Sequence, residues 1–292
     1  MKEALFYEKL DQKKVRCILC PRFCVIPDNA VGYCGVRENK GGILYSLIYN
    51  VVSSIANDPI EKKPLRSFHP GTTVMSVGTY GCNMRCGHCQ NWEISRVDLK
   101  KGRVDEKQIT AEELISLAKE KGSSGVAWTY NEPAIWFEYS LKGAKLAKEN
   151  GLYTVWVTNG YVNTGPLDMI GPYLDAFRVD IKGFSNGTYR KLAGVPDFMP
   201  ILEATARAKK KWNMHVECVT NIIPTVNDDE KQLRDIASWI VKELGPGTDW
   251  HVTRFFPCLD YEHLEPTPLK TLERAKEIGV EAGLRLVHIG NV

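Results

Sequence analysis

The chain has 292 residues, of which 43% are hydrophobic and 25% charged, a composition typical of a globular protein with a core of its own. Its 38 Lys and Arg residues against 35 Asp and Glu residues leave a net charge of +3 with no basic block, so charge predicts no nucleic-acid partner. No apolar run reaches the ~20 residues of a membrane helix and no signal peptide begins the sequence, so we expect a cytoplasmic protein without a membrane partner.

The nine cysteines are the unusual feature of the composition, because a chain of this size needs no disulfide scaffold and an odd number argues against full pairing. Seven of them fall into two groups with short gaps, and two stand alone. The groups are Cys17, Cys20, Cys24 and Cys34, then Cys82, Cys86 and Cys89, followed by the isolated Cys218 and Cys258. Gaps of two and three residues indicate metal binding, whereas an isolated cysteine is by default a buried, inert thiol.

Residues 1–70 are predicted to form a Cys-rich N-terminal extension packed on a larger domain. Turn residues are scattered through this segment, and a hairpin is predicted from Gly42–Tyr49 and Val51–Ile55. Its four cysteines are enough to close a tetrahedral metal site. A structural zinc ion and an auxiliary iron–sulfur cluster both fit these ligands, and the spacing does not separate the two.

Residues 71–292 are predicted to form a domain in which strands alternate with helices. The predicted strands are Thr73–Gly78, Gly125–Thr129, Leu152–Val157, Ala176–Ile181, His215–Thr220, Trp250–Arg254 and Leu284–Ile289, and the predicted helices span 110–121, 133–149, 164–172, 198–211, 228–243 and 268–282. Thr110-Ala-Glu-Glu fits a capping box at the start of the first helix. The alternation predicts an α/β fold whose parallel sheet closes into a complete or partial barrel, with ligands at the C-terminal ends of the strands.

Three cysteines follow the first of these strands with the spacing Cys82-x3-Cys86-x2-Cys89, so one loop presents three thiolates to one metal centre. Cubane iron–sulfur clusters are normally held by four cysteines, and here no fourth follows nearby. Three ligands would leave one iron open, and an open coordination position is where a metal centre does chemistry. The alternative is a structural zinc ion with a distant fourth ligand.

This cysteine trio resembles the signature of the radical S-adenosylmethionine (radical SAM) superfamily. The resemblance implies a partial (β/α)6-type barrel and a [4Fe–4S] cluster on Cys82, Cys86 and Cys89, whose open iron is chelated by the amino and carboxylate groups of SAM. It also implies that reduction of the cluster cleaves SAM to methionine and a 5′-deoxyadenosyl radical, which abstracts hydrogen from a substrate. His88 stands where family members usually carry an aromatic residue near the adenine; a histidine on the surface is the alternative interpretation.

Further residues that the resemblance assigns to SAM stand at the ends of predicted strands. Tyr-Asn-Glu132 occupies the place of the family's Gly-Gly-Glu-type motif, and Val157-Thr-Asn-Gly resembles the Asp-Thr-Asn-Gly stretch of glycyl-radical-enzyme activases. Asp180-Ile-Lys matches the Asp-x-Lys of the same activases. The candidate SAM-binding residues are therefore His88, Asn131, Glu132, Thr158, Asn159, Asp180, Lys182, Asn221 and Arg254.

These assignments also have structural alternatives. Asn131-Glu-Pro133 fits an ordinary helix start, with the Asn as the cap and the Pro in the first turn. The polar residues after the third predicted strand fit a plain strand-to-helix turn. Asp180 and Lys182 share one face of their strand, and either a mutual salt bridge or contacts with a ligand would compensate for their burial.

Over nearly its whole length the chain resembles pyruvate formate-lyase-activating-enzyme-like proteins of the AmmeMemoRadiSam group, including the segment Asp58-Pro-Ile-Glu-Lys-Lys-Pro64. The resemblance implies an oxidoreductase that acts on a protein partner and receives electrons from a low-potential donor such as a flavodoxin or ferredoxin. Val157 replaces an Asp that helps the activases bind a monovalent cation, and Phe256 replaces a His. The alternative functions are a radical SAM enzyme that modifies RNA or a small metabolite, and a non-catalytic zinc protein.

Overall fold

The computed structural model describes residues 1–97, 99 and 107–292. Its first strands are short: β1 Lys2–Glu3, β2 Tyr7–Lys9, β3 Val15–Cys17, β4 Val25–Ile26, β5 Arg37–Lys40, β6 Ile43–Ser46 and β7 Val51–Val52. Six of them form two small antiparallel sheets, with the orders β1-β6-β5 and β2-β3-β4. The N-terminal cysteines lie within and between the strands of these small sheets.

One large sheet forms the centre of the molecule. The remaining strands are β8 Ser54–Pro59, β9 Thr73–Gly78, β10 Lys107–Gln108, β11 Gly125–Trp128, β12 Tyr153–Thr158, β13 Ala176–Asp180, β14 His215–Ile222, β15 Trp250–Arg254 and β16 Val287–Gly290. All except β10 belong to the large sheet, in the order β16-β15-β14-β13-β12-β11-β9-β8. Seven of these strands run parallel, and β8 pairs antiparallel with β9. The predicted α/β fold with a partial barrel is confirmed, and β8 and β16 are the two edges of the sheet among the described residues.

Helices follow the parallel strands and pack against them. They are α1 Trp92–Ser95, α2 Ala111–Glu120, α3 Phe137–Glu149, α4 Thr164–Ile170, α5 Asn186–Ala193, α6 Met199–Lys210, α7 Glu230–Leu244 and α8 Leu269–Glu281, with 3-10 turns at Ile60–Lys62, Pro133–Trp136, Gly171–Tyr173 and Leu259–Tyr261. α2 begins with the predicted capping box, because the hydroxyl of Thr110 accepts a hydrogen bond from the N–H of Glu113 (3.2 Å) and the Glu113 carboxylate accepts one from the N–H of Thr110 (2.7 Å). These reciprocal bonds satisfy two backbone donors at the helix start.

The predicted hairpin of Gly42–Tyr49 with Val51–Ile55 is wrong. β6 pairs with β5 instead, and the polar sequence of β5 gives no sign of a buried strand. The turn between them contains Gly41 and Gly42 with φ angles of 65° and 87°, which two-residue hairpin turns favour. The second predicted segment pairs with β10 and β9, because an apolar run indicates a strand without specifying its partner.

Strand β8 lies before the predicted domain boundary at residue 70, but it pairs with β9, which lies after it, along its full length from Ser54 to Pro59. The boundary itself remains a prediction. Helix α5 is not among the predicted helices; Ser185 caps it through its side chain, and Gly194 ends it with a φ of 62°. Both of these signals are present in the sequence, since Ser at the start and Gly after the end are common helix limits.

A buried carboxylate fastens the loop after the first 3-10 turn to the N-terminal ends of the parallel strands. Glu217 is fully buried, and its oxygens accept hydrogen bonds from the backbone N–H groups of Arg66 (3.0 Å) and Ser67 (2.9 Å). Nε2 of His215 and Nε2 of His251 lie 2.9 and 2.6 Å from the same carboxylate. Burial opposes ionisation of Glu217, but these hydrogen bonds outweigh it and hold the pKa of the carboxyl well below its usual range.

We predict that Glu217→Gln lowers the free energy of unfolding by about 3 kcal/mol, because an amide cannot accept from all four donors. The difference in free energy of unfolding between the wild type and the variant should be largest at pH values above the ordinary pKa of glutamate, about 4.3. It should shrink at lower pH, where the carboxylate of the wild type is also protonated. Urea unfolding at several pH values measures this, with the exposed Glu203→Gln as the matched control. An equal stability for the two variants at neutral pH would contradict the prediction.

Candidate metal and cofactor site

The loop that carries the cysteine trio leaves β9 and packs directly on the N-terminal segment. Gly81 has a φ of 85°, and a Cβ built on it would lie 2.6 Å from Cγ1 of Val36 and 2.7 Å from the carbonyl oxygen of Cys34. Only glycine satisfies both the backbone conformation and this close approach. The residue that follows is Cys82, whose sulfur accepts a hydrogen bond from the N–H of Met84 at 3.4 Å.

All three cysteines of the trio line one cavity of about 400 Å³ at the C-terminal ends of the parallel strands. Among the described residues, the only three His, Cys, Asp or Glu ligand atoms that all lie within 4.8 Å of one another belong to His215, Glu217 and Asp249. The three sulfur atoms of the trio therefore do not all lie within 4.8 Å of one another.

Glu132 lies in the loop that follows β11 and is 1% exposed. Its carboxylate accepts hydrogen bonds from the N–H of Ala134 (2.9 Å), the hydroxyl of Thr158 (2.7 Å) and the N–H of Asn159 (2.8 Å). Burial raises the pKa of Glu132 to about 7, although the three hydrogen bonds oppose the rise. Glu132 is the cap of the following 3-10 turn, so the helix-start alternative applies to this residue and not to Asn131.

Two amide side chains hold the cysteine loop against the strand ends. Asn131 accepts a hydrogen bond from the N–H of Thr79 (3.1 Å) and donates one to the carbonyl of Gly81 (2.8 Å). Asn159 donates to the side-chain oxygen of Asn83 at 2.9 Å, and the same nitrogen lies 3.7 Å from the sulfur of Cys82. The predicted strand-end residues thus position the loop as well as line the cavity.

A compact group of charges lies at the end of β13. The carboxylate of Asp180 pairs with Arg178 on one oxygen and with Nζ of Lys182, at 2.8 Å, on the other. Burial opposes ionisation of Asp180, but the charges of Arg178 and Lys182 hold its pKa below the usual range. The salt bridge expected as a structural alternative is present, and all three side chains also line the cavity. Arg178 leaves the group with a net positive charge and is a lining residue that the sequence analysis missed.

His88 lines the cavity with a polar atom that has no partner. Its Nδ1 is buried and makes no hydrogen bond among the residues that the structure describes. Burial, followed by the charge of Lys182, lowers the pKa of His88 to about 3, so the imidazole is neutral. Nε of Arg178 is likewise buried without a partner in the described part of the chain. Buried polar atoms without a partner are rare in folded proteins, and both of these belong to residues that line the cavity.

The last two predicted SAM-binding residues, Asn221 and Arg254, lie in different surroundings. Asn221 lines the cavity and donates a hydrogen bond to the carbonyl of Arg254 at 3.1 Å. The side chain of Arg254 is not among those that line the cavity; its Nε donates to the carbonyl of Thr267 at 3.0 Å, and its guanidinium lies over the ring of Phe256, 5.3 Å from the ring centre. A role for Arg254 in binding SAM remains a prediction that this arrangement does not support.

The outer wall of the cavity comes from the segment before β9, which the sequence analysis quoted only as a resemblance. Lys62 and Lys63 line the cavity there together with Tyr130. Nζ of Lys63 lies 2.8 Å from Asp58, and the hydroxyl of Tyr130 donates to the same carboxylate at 3.2 Å. The charged residues of this segment follow neither the period of a helix nor that of a strand, so their positions in the sequence do not predict that they line a cavity.

The two isolated cysteines do not line the cavity. Cys218 is fully buried in β14, as expected of an inert thiol. Cys258 lies beside the trio, because its thiol donates to the carbonyl of Cys89 at 3.3 Å. No disulfide joins any of the nine cysteines.

Comparison with known proteins identifies the family. Residues 76–240, more than half of the chain, match the model of the radical SAM superfamily. The chain belongs to the radical SAM superfamily. It is 41% identical to an uncharacterized protein of Methanocaldococcus jannaschii, over all of this chain and 86% of that protein. The resemblance drawn from the cysteine trio is thereby confirmed, and the cofactors of this family are a [4Fe–4S] cluster and SAM.

More distant relatives extend the comparison. The chain is 28% identical to the pyruvate formate-lyase-activating enzyme of Clostridium pasteurianum, over 56% of this chain and 67% of that enzyme. Its fold is similar to a radical SAM methyltransferase from Sphaerobacter thermophilus, with a TM-score of 0.58 and 16% identity over 77% of this chain and 68% of that one. None of the described helices has the length and apolar character to cross a membrane.

We predict that Gly81→Ala destabilises the protein by about 3 kcal/mol, since it combines left-handed strain of about 1 kcal/mol with a backbone clash. Gly122→Ala is the matched control, because Gly122 also has a positive φ, 67°, but no atom lies within 4 Å of its added Cβ. The control should lose only about 1 kcal/mol. Urea unfolding measures both, and equal losses would show that the contact with Cys34 does not constrain the loop.

Proposed function

We propose that this chain cleaves SAM reductively at a [4Fe–4S] cluster bound by Cys82, Cys86 and Cys89. The observation that carries the proposal is the cavity itself, which three thiols line together with two carboxylates, amides, four cations and a neutral imidazole. When bound, the cluster supplies one electron to the sulfonium, so that the bond from sulfur to C5′ breaks and leaves methionine and a 5′-deoxyadenosyl radical. A volume of about 400 Å³ is in the range of small-ligand cavities.

In this proposal, different residues of the chain bind different parts of SAM. Glu132 offers the negative charge for the SAM ammonium, while Lys182 and Arg178 offer positive charge for its carboxylate. The unpartnered Nδ1 of His88 is a hydrogen-bond group for the adenine end, and Asn221 is one for the ribose. The buried hydrogen bonds of Glu132 hold Thr158 and Asn159 in place, so that the polar groups are already oriented before SAM binds.

The substrate is the second part of the proposal. We infer that the chain acts, like the activating enzymes it resembles, on a protein partner and takes electrons from a flavodoxin or ferredoxin. Support comes from the similarity to the pyruvate formate-lyase-activating enzyme of Clostridium pasteurianum, over about half of this chain. The substitutions at Val157 and Phe256 separate the chain from those activases, so the glycyl-radical chemistry is inferred from the relatives alone.

A small anionic substrate is the other candidate, and one observation favours it. Among the residues that the structure describes, four cations line the cavity, Lys62, Lys63, Arg178 and Lys182, against two acidic residues, Glu132 and Asp180. This excess of cations would attract a carboxylate or phosphate. Deuterium-labelled candidates distinguish the two, because the molecule that loses hydrogen transfers its label to 5′-deoxyadenosine.

We predict that Cys86→Ala abolishes the formation of 5′-deoxyadenosine from SAM and dithionite, because two thiolates no longer hold the cluster. Chromatography of anaerobic reactions measures the product. Cys218→Ala is the matched control, since Cys218 is a buried cysteine outside the cavity, and it should keep wild-type product formation. A Cys86→Ala variant that made as much product as the wild type would overturn the assignment of the cluster.

A further inference from the structure

Five side chains of types that bind metal ions converge at the N-terminal ends of the last parallel strands. They are three imidazoles and two carboxylates from β14, β15, β16 and the residue before β15: His215, Glu217, Asp249, His251 and His288. One ligand atom each of His215, Glu217 and Asp249 lies within 4.8 Å of the other two. None of the five side chains lines the large cavity, so the proposed binding of SAM does not account for this group.

The register of the strands places this group on the inner face of the sheet. Side chains two positions apart along a strand share a face, which joins His215 to Glu217 and Asp249 to His251. Val219 pairs with His251 across β14 and β15, and the imidazole of β16 stands opposite His251 in the same way. Val219 lines the large cavity, so its face is the inner one. The group therefore lies inside the partial barrel, at the end of the strands opposite to the cysteine trio.

The distances within the group suit an ion with nitrogen and oxygen ligands. Nε2 of His215 and Nε2 of His251 lie 2.9 and 2.6 Å from the two oxygens of Glu217. Nε2 of His288 lies 2.7 Å from Oδ1 of Asp249. Bonds of about 2.1 Å around one ion hold neighbouring ligand atoms about 3 Å apart and opposite ones about 4 Å apart. The ligand atoms of the group are spaced close to this range.

The charge of the group favours a bound cation. Glu217 is fully buried, and Asp249 is 1% exposed. Within the described part of the chain, every ion pair of these two carboxylates is with an imidazole: His215 and His251 for Glu217, and His288 for Asp249. An imidazole with an ordinary pKa is mostly neutral at pH 7, so it supplies less positive charge than Lys or Arg. Two buried carboxylates this close repel each other, and a divalent cation between them removes that cost.

The ligand types indicate which ions fit. Mg²⁺ and Ca²⁺ take oxygen ligands, whereas three of these five side chains are imidazoles. Copper(I) and iron–sulfur clusters prefer sulfur, and the three ligand atoms that lie together include none. Imidazole and carboxylate together suit divalent ions of the first transition row, such as Mn²⁺, Fe²⁺ and Zn²⁺.

Neighbouring groups hold these ligands and leave a path for an ion. The hydroxyl of Ser67 donates a hydrogen bond to Oδ1 of Asp249 at 3.0 Å, and the N–H of Ser67 donates one to Glu217 at 2.9 Å. Carboxylates that bind metal ions are themselves held by hydrogen bonds of this kind. The side chains of His215 and His288 are 28% and 22% exposed, so an ion reaches the group from solvent.

We propose that His215, Glu217 and Asp249 bind a divalent first-row transition-metal ion that stabilises the edge of the partial barrel. His215 binds through the lone pair of Nε2 while its proton occupies Nδ1. His251 and His288 donate hydrogen bonds from Nε2 to the two carboxylates and orient them. The ion links β14 to the start of β15 and, through His288, to the edge strand β16. This site is independent of the proposed cleavage of SAM, so neither result decides the other.

Titration of the full chain with Mn²⁺ tests the site, because thiolates bind Mn²⁺ weakly and the cysteines compete little. The protein is purified without oxygen and dialysed against a chelator, and electron paramagnetic resonance measures the free Mn²⁺. The wild type should bind Mn²⁺, and His215→Gln should bind it at least ten-fold more weakly. His263→Gln is the matched control, since His263 is exposed and outside the group, and it should bind like the wild type. No binding by the wild type, or equal affinity in His215→Gln, would overturn the proposal.

Two further measurements decide the matter if His215→Gln does not fold. Pulsed electron paramagnetic resonance of Mn²⁺ bound to the wild type should show coupling to an imidazole nitrogen, which oxygen ligands alone do not give. Mn²⁺ at about 100-fold its dissociation constant should raise the Tm of the wild type by about 5 °C, and that of His288→Gln by about half as much or less. Absence of the nitrogen coupling, or an equal rise in Tm for the two proteins, would show that the five side chains form hydrogen bonds only.

Discussion

The contact between Gly81 and the carbonyl of Cys34 is the constraint on which the rest of the site depends. It brings the loop of the trio against the N-terminal segment, with no room for a side chain between them. The parallel sheet supplies the opposite support, because its strands end at one edge and Asn131 and Asn159 hold the loop there. The three thiolates thus face a cavity built by both parts of the molecule. This explains why the N-terminal segment and the barrel pack as one unit around the metal chemistry.

Charge is arranged in the same way around both cysteine groups. Each has cations close to the sulfur atoms, with Lys182 and Arg178 at the large cavity and Arg37 and Arg22 at the small cavity of about 20 Å³ that the four N-terminal cysteines line. Three of these cations pair with carboxylates: Lys182 and Arg178 with Asp180, and Arg37 with the buried Glu138. Sharing keeps each buried charge paired before the metal and SAM are bound, which avoids the cost of an isolated ion.

The sequence was sufficient for those features that local chemistry determines. β9 and β15 have the predicted bounds, the capping box at Thr110 forms, and the cysteine spacing led to the family that comparison confirms. Strand pairing in the N-terminal segment was not predictable, because it depends on contacts between distant residues such as Arg37 and Glu138. The same reason applies to Arg254, whose side chain donates a hydrogen bond to Thr267 and lies over the ring of Phe256. It applies also to Lys62 and Lys63, which reach the cavity because β8 pairs with β9.

The measurement that tests the account most directly is electron–nuclear double resonance on the reduced protein with SAM labelled with 15N at its amino group. The central claim is that Cys82, Cys86 and Cys89 leave one iron of their cluster open to the amino and carboxylate groups of SAM. The account predicts a 15N coupling in the wild type and in Cys218→Ala, because the trio is intact in both. Reduced protein that binds SAM and shows the cluster signal without any 15N coupling would contradict it.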